Sequence, residues 1–449
     1  MQANMQWNDL LTTKRFGQED YHKKEDDDRS GFQRDFDRLI FSAPFRRLQN
    51  KTQVFPLPGS VFVHNRLTHS LEVSSVGRSM GGLVAKSLKE KHKAQPWANK
   101  LDEIGAIVSA ACLAHDLGNP PFGHSGEKAI SSFFAEGNGL QYQSQLNTQQ
   151  WCDLTHFEGN ANALRLLTHQ FIGRRKGGFA LTYTTLAAIV KYPYASTLAK
   201  NKPKFGFFEA EENTFQQIAS ELGLIRLSPF ESNKLKYARH PLVFLVEAAD
   251  DICYQIMDVE DAHKLKIISF DETIETFLAF FPAERQAKLR NSMGHVSDAN
   301  EQVAFLRSAL IGELIKECAR VFVAEEENIL RGDRTLPLIA DIHPTAAQAY
   351  RQCSEMAFKR IYRSADVVDI ELAGYQIITA LLDKLLTAVN EPDKAYAHIL
   401  LERIPKQYEV TAPDLYSRIL AVVDYVAGMT DVYALDLYRK MYGMSLPSL

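Results

Sequence analysis

An adjacent histidine and aspartate, His115-Asp116, end a strongly apolar segment that begins at Ile104. Apolar residues in this segment lie on most sides of a helix, which predicts a buried helix. The pair Pro120-Pro121 follows closely and must stop or kink that helix. Buried histidine and aspartate side chains cost free energy unless they are paired or bind a metal ion. His115 and Asp116 are therefore either a satisfied structural pair or part of a metal site.

Two other apolar helical segments present residues of the same types. His69 lies 46 positions before His115, in a segment rich in small residues that could approach another helix closely. Asp250 ends the apolar run 242–249, so a third helix presents an acid. Together, His69, His115, Asp116 and Asp250 form a nitrogen and oxygen ligand set without thiolates. Such a set suits one divalent ion of Mn, Mg, Fe, Co, Ni or Zn.

Composition and charge exclude several classes of protein. The 449 residues are 45% hydrophobic and 24% charged, which is typical of a globular protein. A net charge of −4 argues against a general nucleic-acid coat or a polybasic membrane binder, so phosphate would need a local basic cluster. The five cysteines are scattered without a CxxC pair, which argues against a disulfide framework. No run approaches roughly 18 apolar residues, so we expect a cytoplasmic protein without a membrane partner.

The hydrophobic pattern predicts an all-α fold with at most a short β-hairpin, at 54–63. Apolar spacing of three and four predicts helices at 67–84, 104–113, 164–167, 181–190, 242–257, 370–389, 395–401 and 415–432.

The chain divides into four predicted parts. Residues 1–30 are polar and end in a mixed charge run, which indicates a loosely attached N-terminal arm. Residues 31–263 form the helical core. Residues 264–365 mix helical stretches with polar turns and are interpreted as a helical insertion or lid. Residues 366–449 form a C-terminal helical part that packs on the core.

The candidate ligands His69, His115-Asp116 and Asp250 resemble the H…HD…D pattern of the HD-domain phosphohydrolases. The surrounding sequence is similar, in the same order, to bacterial deoxyguanosine triphosphate triphosphohydrolases and their relatives. The segments that carry this resemblance are 45–56, 64–73, 115–124, 157–161, 247–252 and 428–431. The resemblance spans most of residues 31–445 and implies an HD-domain helical core.

The resemblance implies hydrolysis of a deoxynucleoside triphosphate (dNTP) to a deoxynucleoside and intact tripolyphosphate. Attack is then at the α-phosphorus, the sugar 5′ oxygen leaves and needs a proton, and dGTP is the favoured substrate among the dNTPs. The resemblance also implies one divalent metal ion per chain and a homo-oligomer, either tetramer or hexamer. Asp251 is a rival for the fourth ligand position, and the family pattern favours Asp250.

His124 and Glu127 lie three positions apart, so they share one face of a helical turn. A carboxylate in this position can fix the tautomer and the basicity of an imidazole, which makes the pair a candidate acid and base. The resemblance supports this role. His156 is a further catalytic candidate that would face the substrate, and a helix cap or a loop hydrogen bond is its structural alternative.

A triphosphate needs nearby cations. Arg66 lies three residues before His69, which places it within reach of metal-bound phosphates on a regular helix. Lys191 and Tyr192 are the second candidates, and all three residues match phosphate-contacting positions in relatives. The structural alternatives are an ion pair for Arg66 and a surface location for Lys191.

Tyr254 and Asp258 follow Asp250 at four and eight positions, so one helical face presents all three. The resemblance implies that Tyr254 packs beneath deoxyribose, that Asp258 binds the 3′-hydroxyl and that Gln53 reaches the sugar. Tyrosine at such spacing is otherwise more often a core residue. The basic cluster 174–176 is either a solvated loop or a contact for an allosteric nucleotide or single-stranded DNA.

Two other functions use the same residues. In an HD-type phosphodiesterase or nucleotidase, His124 and His156 would complete a second metal site. A non-catalytic nucleotide sensor would bind its ligand at the HD site without turnover. The number of metal ions per chain distinguishes the first alternative from the triphosphohydrolase.

Overall fold

The computed structural model describes residues 4–19, 28–55, 63–199, 204–229 and 234–444. Over these residues the chain forms helices and isolated β-bridges without a strand, which confirms the predicted all-α class. Residues 56–62 of the predicted hairpin lie outside the described residues. The flanking residues Thr52 and Asn65 pair in an antiparallel bridge.

The helices of the first half are α1 (Trp7–Leu10), α2 (Gly31–Ile40), α3 (Ala43–Arg47), α4 (Arg66–Lys91), α5 (Ile104–Ala114), α6 (His124–Ala135), α7 (Thr148–Thr155), α8 (Gly159–Thr168), α9 (Tyr183–Ile189) and α10 (Glu212–Glu221). The second half contributes α11 (Val243–Lys264), α12 (Phe270–Leu278), α13 (Ala283–Met293), α14 (Ala299–Ala324), α15 (Glu326–Leu330), α16 (Pro344–Met356), α17 (Ala365–Asn390), α18 (Ala395–Leu401), α19 (Leu415–Ala427) and α20 (Asp431–Met441). Short 3-10 helices are Leu48–Asn50, Ala98–Glu103, Asn138–Gln145, Ser196–Leu198, Glu209–Glu211 and Leu338–Asp341, and Ala357–Ile361 is a π-helical turn.

Helices α4 and α5 pack unusually closely, and small residues at their contact allow it. A methyl group added at Gly81 of α4 would lie 2.9 Å from the Cα atom of Gly105 in α5, which is too close for a side chain. The Ser74 hydroxyl donates a hydrogen bond to the Ser109 carbonyl oxygen at 2.9 Å. The small residues therefore allow the close helix approach that the sequence indicated.

Two apolar clusters form the core. The first cluster contains α4, α5, α9 and α11 together with α12, α14 and α16 from the predicted insertion. The second cluster contains α6 and α7 together with α17, α18, α19 and α20. The helices of residues 264–365 thus share an apolar interior with the helices that carry His69, His115 and Asp250. The four-part division of the chain stays a prediction.

The described part of the predicted N-terminal arm packs against the core. Met5, Trp7 and Leu10 are buried, and the Trp7 indole N–H donates to Glu326 Oε1 at 2.7 Å. Arg15 forms a buried ion pair with Asp35. A loosely attached arm was therefore the wrong expectation for residues 4–19. The charge run that suggested it lies mostly in residues 20–27, outside the described residues.

The predicted helix at 415–432 is two helices. Helix α19 ends at Ala427, and α20 begins at Asp431. Thr430 caps the second helix, because its side-chain oxygen accepts a hydrogen bond from the Tyr433 backbone N–H. Gly428 and this cap end the apolar periodicity that appeared continuous in the sequence.

Within the described residues, α17 is the one helix whose length and composition would suit a membrane span. Half of its most apolar 18-residue stretch is buried inside the protein, as in a core helix. The sequence analysis predicted this helix at 370–389 but found no membrane span there, because Glu371, Gln376 and Asp383 interrupt its apolar residues.

A buried ionic cluster connects α8 to α19. The Arg165 guanidinium donates to both carboxylate oxygens of Asp424 and to Glu211 Oε1. Asp424→Ala would leave a buried arginine with only part of its ionic partners. We expect a loss of about 3–5 kcal/mol in the free energy of unfolding, measured by urea denaturation. The exposed pair Asp436 and Lys440 supplies the control, because Asp436→Ala should cost at most about 1 kcal/mol. Equal losses in the two variants would contradict this assignment.

Candidate active site

Three helices bring together a group of side chains that could hold a metal ion. His69 comes from α4, His115 directly follows α5 and Asp250 comes from α11. One ligand atom from each residue lies within 4.8 Å of the other two. His69 Nε2 lies 3.1 Å from Asp250 Oδ1, and His115 Nε2 lies 3.5 Å from the same oxygen. This arrangement can hold a metal ion.

The hydrogen bonding of His115 fits a metal ligand. Its Nδ1 donates to the Cys112 carbonyl oxygen at 2.6 Å, which orients the ring and directs Nε2 toward the cluster. Nε2 is buried and makes no hydrogen bond among the described residues. Burial alone would lower the pKa of His115, but the neighbouring carboxylates of Asp116 and Asp250 raise it to about 9. The site therefore favours a positive charge at Nε2, supplied either by a proton or by a metal ion.

Asp116 lies at the edge of this cluster. Its Oδ1 is 3.7 Å from His115 Nε2 and accepts a hydrogen bond from the Asn119 amide. Its Oδ2 accepts a hydrogen bond from Arg66 Nη1 at 2.8 Å. Asp116 thus already has two partners, and its role as fourth metal ligand stays a prediction.

The neighbouring acid Asp251 is not part of the cluster that could hold a metal. Burial raises the pKa of its carboxyl group to about 7. Asp250 differs, because the pKa of its carboxyl is held well below the usual value despite burial, chiefly by His115 and His69. The register of α11 therefore favours Asp250, as the family pattern indicated.

A cleft of about 630 Å³ opens beside the cluster. Of the predicted site residues, His115, Asp116, His124, Glu127, Lys191, Tyr192 and Asp250 line it. The structure thus brings the candidate metal, acid-base and phosphate-binding side chains to one space. Its walls come from both apolar clusters, because α6 belongs to the second.

His124 and Glu127 form the predicted pair on α6. His124 Nδ1 lies 2.8 Å from Glu127 Oε2, and the Gly159 backbone N–H donates to Glu127 Oε1 at 2.7 Å. The hydrogen bond to Glu127 raises the pKa of His124. Burial would raise the pKa of Glu127, but the hydrogen bond and charge of His124 lower it to about 2. The His124 side chain is 64% exposed and faces the cleft, whereas Glu127 is buried behind it.

Two lysines supply positive charge to the cleft. Lys191 Nζ lies 3.5 Å from Glu247 Oε1, and Lys204 Nζ forms an ion pair with Glu158 Oε2 at 2.7 Å. The sequence analysis identified Lys191 but missed Lys204 and Glu158, because neither lies at a regular spacing from the ligands. Arg66 does not line the cleft directly and instead pairs with Asp116.

A second cavity adjoins the first, and His124 lines both. Gln53 and Tyr254 line it, together with Tyr362, which the sequence analysis missed. The Tyr254 and Tyr362 rings lie 5.8 Å apart. Asp258 does not line this cavity. It lies behind Tyr362, whose hydroxyl donates a hydrogen bond to Asp258 Oδ2 at 2.6 Å. Burial raises the pKa of Asp258 to about 8.

His156 does not line either cavity. It caps the C-terminal end of α7, where its Nδ1 lies 3.0 Å from the Cys152 carbonyl oxygen. This is the structural alternative considered for it. Its catalytic role stays a prediction.

Known proteins are similar to this chain over nearly its whole length. The family model of the phosphohydrolase-associated domain matches residues 340–440. A deoxyguanosinetriphosphate triphosphohydrolase-like protein of Synechocystis is 38% identical over 98% of this chain and 100% of its own length. A protein of the same name from Pseudomonas aeruginosa is 37% identical over 99% of this chain and its whole length. The deoxyguanosinetriphosphate triphosphohydrolase of Yersinia pestis is 31% identical over 91% of this chain and 93% of its own.

The chain belongs to the deoxyguanosinetriphosphate triphosphohydrolase-like family. Membership confirms the resemblance seen in the sequence, and it makes the protein a hydrolase. The similarity covers almost the whole chain, so it includes both apolar clusters that contribute to the cleft.

Substitution of the metal cluster should remove bound metal. We expect Asp250→Asn to lower the affinity for a divalent ion by at least about 100-fold, because one of three converging ligands is lost. Asp251→Asn is the matched control and should retain the ion. Metal content per chain, measured by plasma mass spectrometry after desalting, distinguishes the two. Loss of metal from Asp251→Asn alone would reverse the assignment.

Proposed function

We propose that the protein is a metal-dependent dNTP triphosphohydrolase. It would cleave dGTP, or dNTPs more broadly, at the α-phosphorus to a deoxynucleoside and tripolyphosphate. The position of His124 carries this proposal, because His124 lines both the cleft with the metal cluster and lysines and the cavity with the tyrosines. A triphosphate in the first space and a nucleoside in the second would place the bond between them at His124.

His69, His115 and Asp250 would hold one divalent ion, with Asp116 as the fourth ligand. When bound, the ion supplies charge neutralisation and polarisation of phosphate oxygens. The ligand set suits Mn, Mg, Fe, Co, Ni or Zn. The buried Nε2 atom of His115, which makes no hydrogen bond within the described residues, supports this role.

His124 would act as the general acid that protonates the leaving 5′ oxygen. Its ring is exposed to the cleft through Nε2, since Nδ1 is bonded to Glu127. Glu127 would orient the ring and stabilise its protonated form. The Gly159 backbone N–H in turn holds the Glu127 carboxylate in place.

The remaining cleft residues would bind the substrate. The polyphosphate would contact Lys191, Tyr192 and Lys204. Arg66 would stay paired with Asp116 and add positive charge at the edge of the metal site. In the second cavity, Gln53 and Tyr254 would contact the sugar. Asp258 would act from beneath Tyr362 and would reach a 3′-hydroxyl only if that tyrosine moves.

The two-metal phosphodiesterase has less support. Its second site would need His156, which lies outside the cleft. Among the described residues, one group of side chains could hold a metal ion. The homo-oligomer, the allosteric nucleotide or single-stranded DNA partner and the cytoplasmic location remain predictions from the sequence.

Product analysis tests the reaction. The purified protein is incubated with Mn²⁺ or Mg²⁺ and each dNTP, singly and mixed, and the products are separated by anion exchange. We expect tripolyphosphate and deoxynucleoside. Pyrophosphate or orthophosphate as the first product would contradict attack at the α-phosphorus, and no product from any mixture would support the sensor.

A histidine substitution tests the acid. His124→Asn should lower kcat by about 100-fold or more while the metal content stays at the wild-type level. The matched control is His398→Asn, because His398 is exposed on α18. Loss of metal from His124→Asn would instead make His124 a ligand.

Glu127→Gln tests the coupling within the pair. Glu127 raises the pKa of His124, so the protonated acid persists to higher pH in the wild type. Removing the charge lowers that pKa, and the alkaline limb of the kcat profile should move to lower pH. The profile is measured from about pH 5 to pH 10, with the metal held at saturation. An unchanged alkaline limb, or one moved to higher pH, would contradict the acid role.

A further inference from the structure

A buried carboxylate of the C-terminal part holds two segments of the active site. Asp431 is the first residue of α20, and its side chain points toward the core. Its Oδ2 accepts a hydrogen bond from the Thr52 backbone N–H at 2.8 Å, and its Oδ1 accepts one from the Phe122 backbone N–H at 2.9 Å. The two partners are far apart in sequence. One side chain therefore fixes the distance between them.

Both held amides adjoin residues of the proposed site. Thr52 precedes Gln53, which lines the second cavity. Phe122 lies two residues before His124. The two residues that lead into α6, Phe122 and Gly123, have φ of +61° and +58°. Such a conformation is costly for phenylalanine and persists only where the surroundings hold it.

Helix α17 holds the same phenylalanine from the other side. A methyl group added at Gly374 would lie 2.7 Å from Phe122 Cβ, so the ring sits directly against the α17 backbone. The second apolar cluster thus contacts Phe122 through Gly374 and through Asp431.

A buried cation completes the junction. Lys51 is 2% exposed, and its Nζ donates to the carbonyl oxygens of Asn119 at 2.5 Å and Ala427 at 2.8 Å. The Asn119 amide in turn donates to Asp116. Lys51 therefore bonds two carbonyl groups and Asp431 bonds two N–H groups, and both side chains hold the segment 119–122. The backbone groups of this buried junction are satisfied only while both side chains are present.

We infer that Asp431 is a positioning residue: by binding the Thr52 and Phe122 amides, it sets His124 and Gln53 relative to the metal cluster. The inference rests on the proposed function for the roles of His124 and Gln53. Through Asp431, residues 366–449 would influence the rate of the proposed hydrolysis. A displacement of about 1 Å at a catalytic group can cost about 100-fold in rate.

Asp431→Asn in the full-length protein is the first test. The amide retains the size of the side chain but replaces one acceptor with a donor that faces a backbone N–H. We expect kcat for dNTP hydrolysis to fall by about 10- to 100-fold with metal content unchanged. Hydrogen exchange should increase in peptides that cover residues 50–55 and 119–124. Tyr433→Phe is the control on the same helix, because it removes the hydrogen bond to the Tyr425 hydroxyl and leaves the junction intact.

Gly374→Ala is the second test, and it displaces Phe122 without changing Asp431. Alanine has a higher helix propensity than glycine, so α17 should be preserved. The methyl group of the alanine should displace Phe122. We expect a fall in kcat with metal content unchanged. Gly312→Ala on α14 is the matched control, since no atom lies within 4 Å of the added methyl group.

The outcomes separate this inference from the proposed function. If the wild type hydrolyses dNTPs and Asp431→Asn keeps wild-type kcat, the inference is wrong, whatever Gly374→Ala does, and the proposed function stands. If Tyr433→Phe lowers kcat as much as Asp431→Asn at equal melting temperature, the effect is general destabilisation and the inference is also wrong. If the wild type hydrolyses no dNTP, the proposed function fails and the catalytic part of the inference fails with it, whatever the exchange result.

Discussion

Helices α4 and α5 approach each other so closely that glycine is required at their contact, and α11 packs across the same point. A methyl group added at Gly77 of α4 would lie 2.6 Å from Cys112 Sγ of α5 and 3.5 Å from Ala249 Cβ of α11. The three candidate metal ligands are brought together by this meeting of helices. His69 lies two turns before Gly77, His115 lies one turn after Cys112, and Asp250 directly follows Ala249. Larger side chains at the contact would separate the three ligands.

The side chains of the proposed reaction come from helices of two different apolar clusters, which form the two halves of the fold. The metal cluster belongs to helices of the first apolar cluster, whereas His124 and Glu127 belong to α6 in the second. The relative position of the two halves therefore decides whether His124 can reach a phosphate bound near the metal cluster. The ionic cluster around Arg165 and the junction at Asp431 both cross between these halves. Buried charges stabilise a fold little unless they are fully paired. In this protein, both sets of buried charges connect helices of one apolar cluster to residues packed on the other.

Electrostatics in the cleft is arranged in local pairs. The whole chain is slightly acidic, and the carboxylates beside His115 raise its pKa to about 9. Glu127 and Glu158 are held by His124 and Lys204 respectively. A triphosphate would enter a site whose cations already have carboxylate partners. The acidic groups that raise the pKa of His115 are also groups that would bind a divalent ion.

The sequence by itself determined the helical class and the family, and it predicted the residue types of the candidate metal site. Apolar periodicity of three and four identifies helices, and His115-Asp116 indicates a candidate site only together with His69, Asp250 and the family resemblance. It also predicted the pair His124 and Glu127, because an i, i+3 relation is local and helical geometry alone sets it. Local spacing could not reveal Lys204, Tyr362 or the hydrogen bonds of Asp431.

Only the tertiary structure decided which residues meet across the chain. It separated Asp250 from Asp251 by the register of α11, and it placed Asp258 behind Tyr362 and His156 outside the cleft. It also packed residues 4–19 into the core. These facts depend on contacts between residues far apart in sequence, and those contacts are set by how whole helices pack and not by the pattern within any one helix.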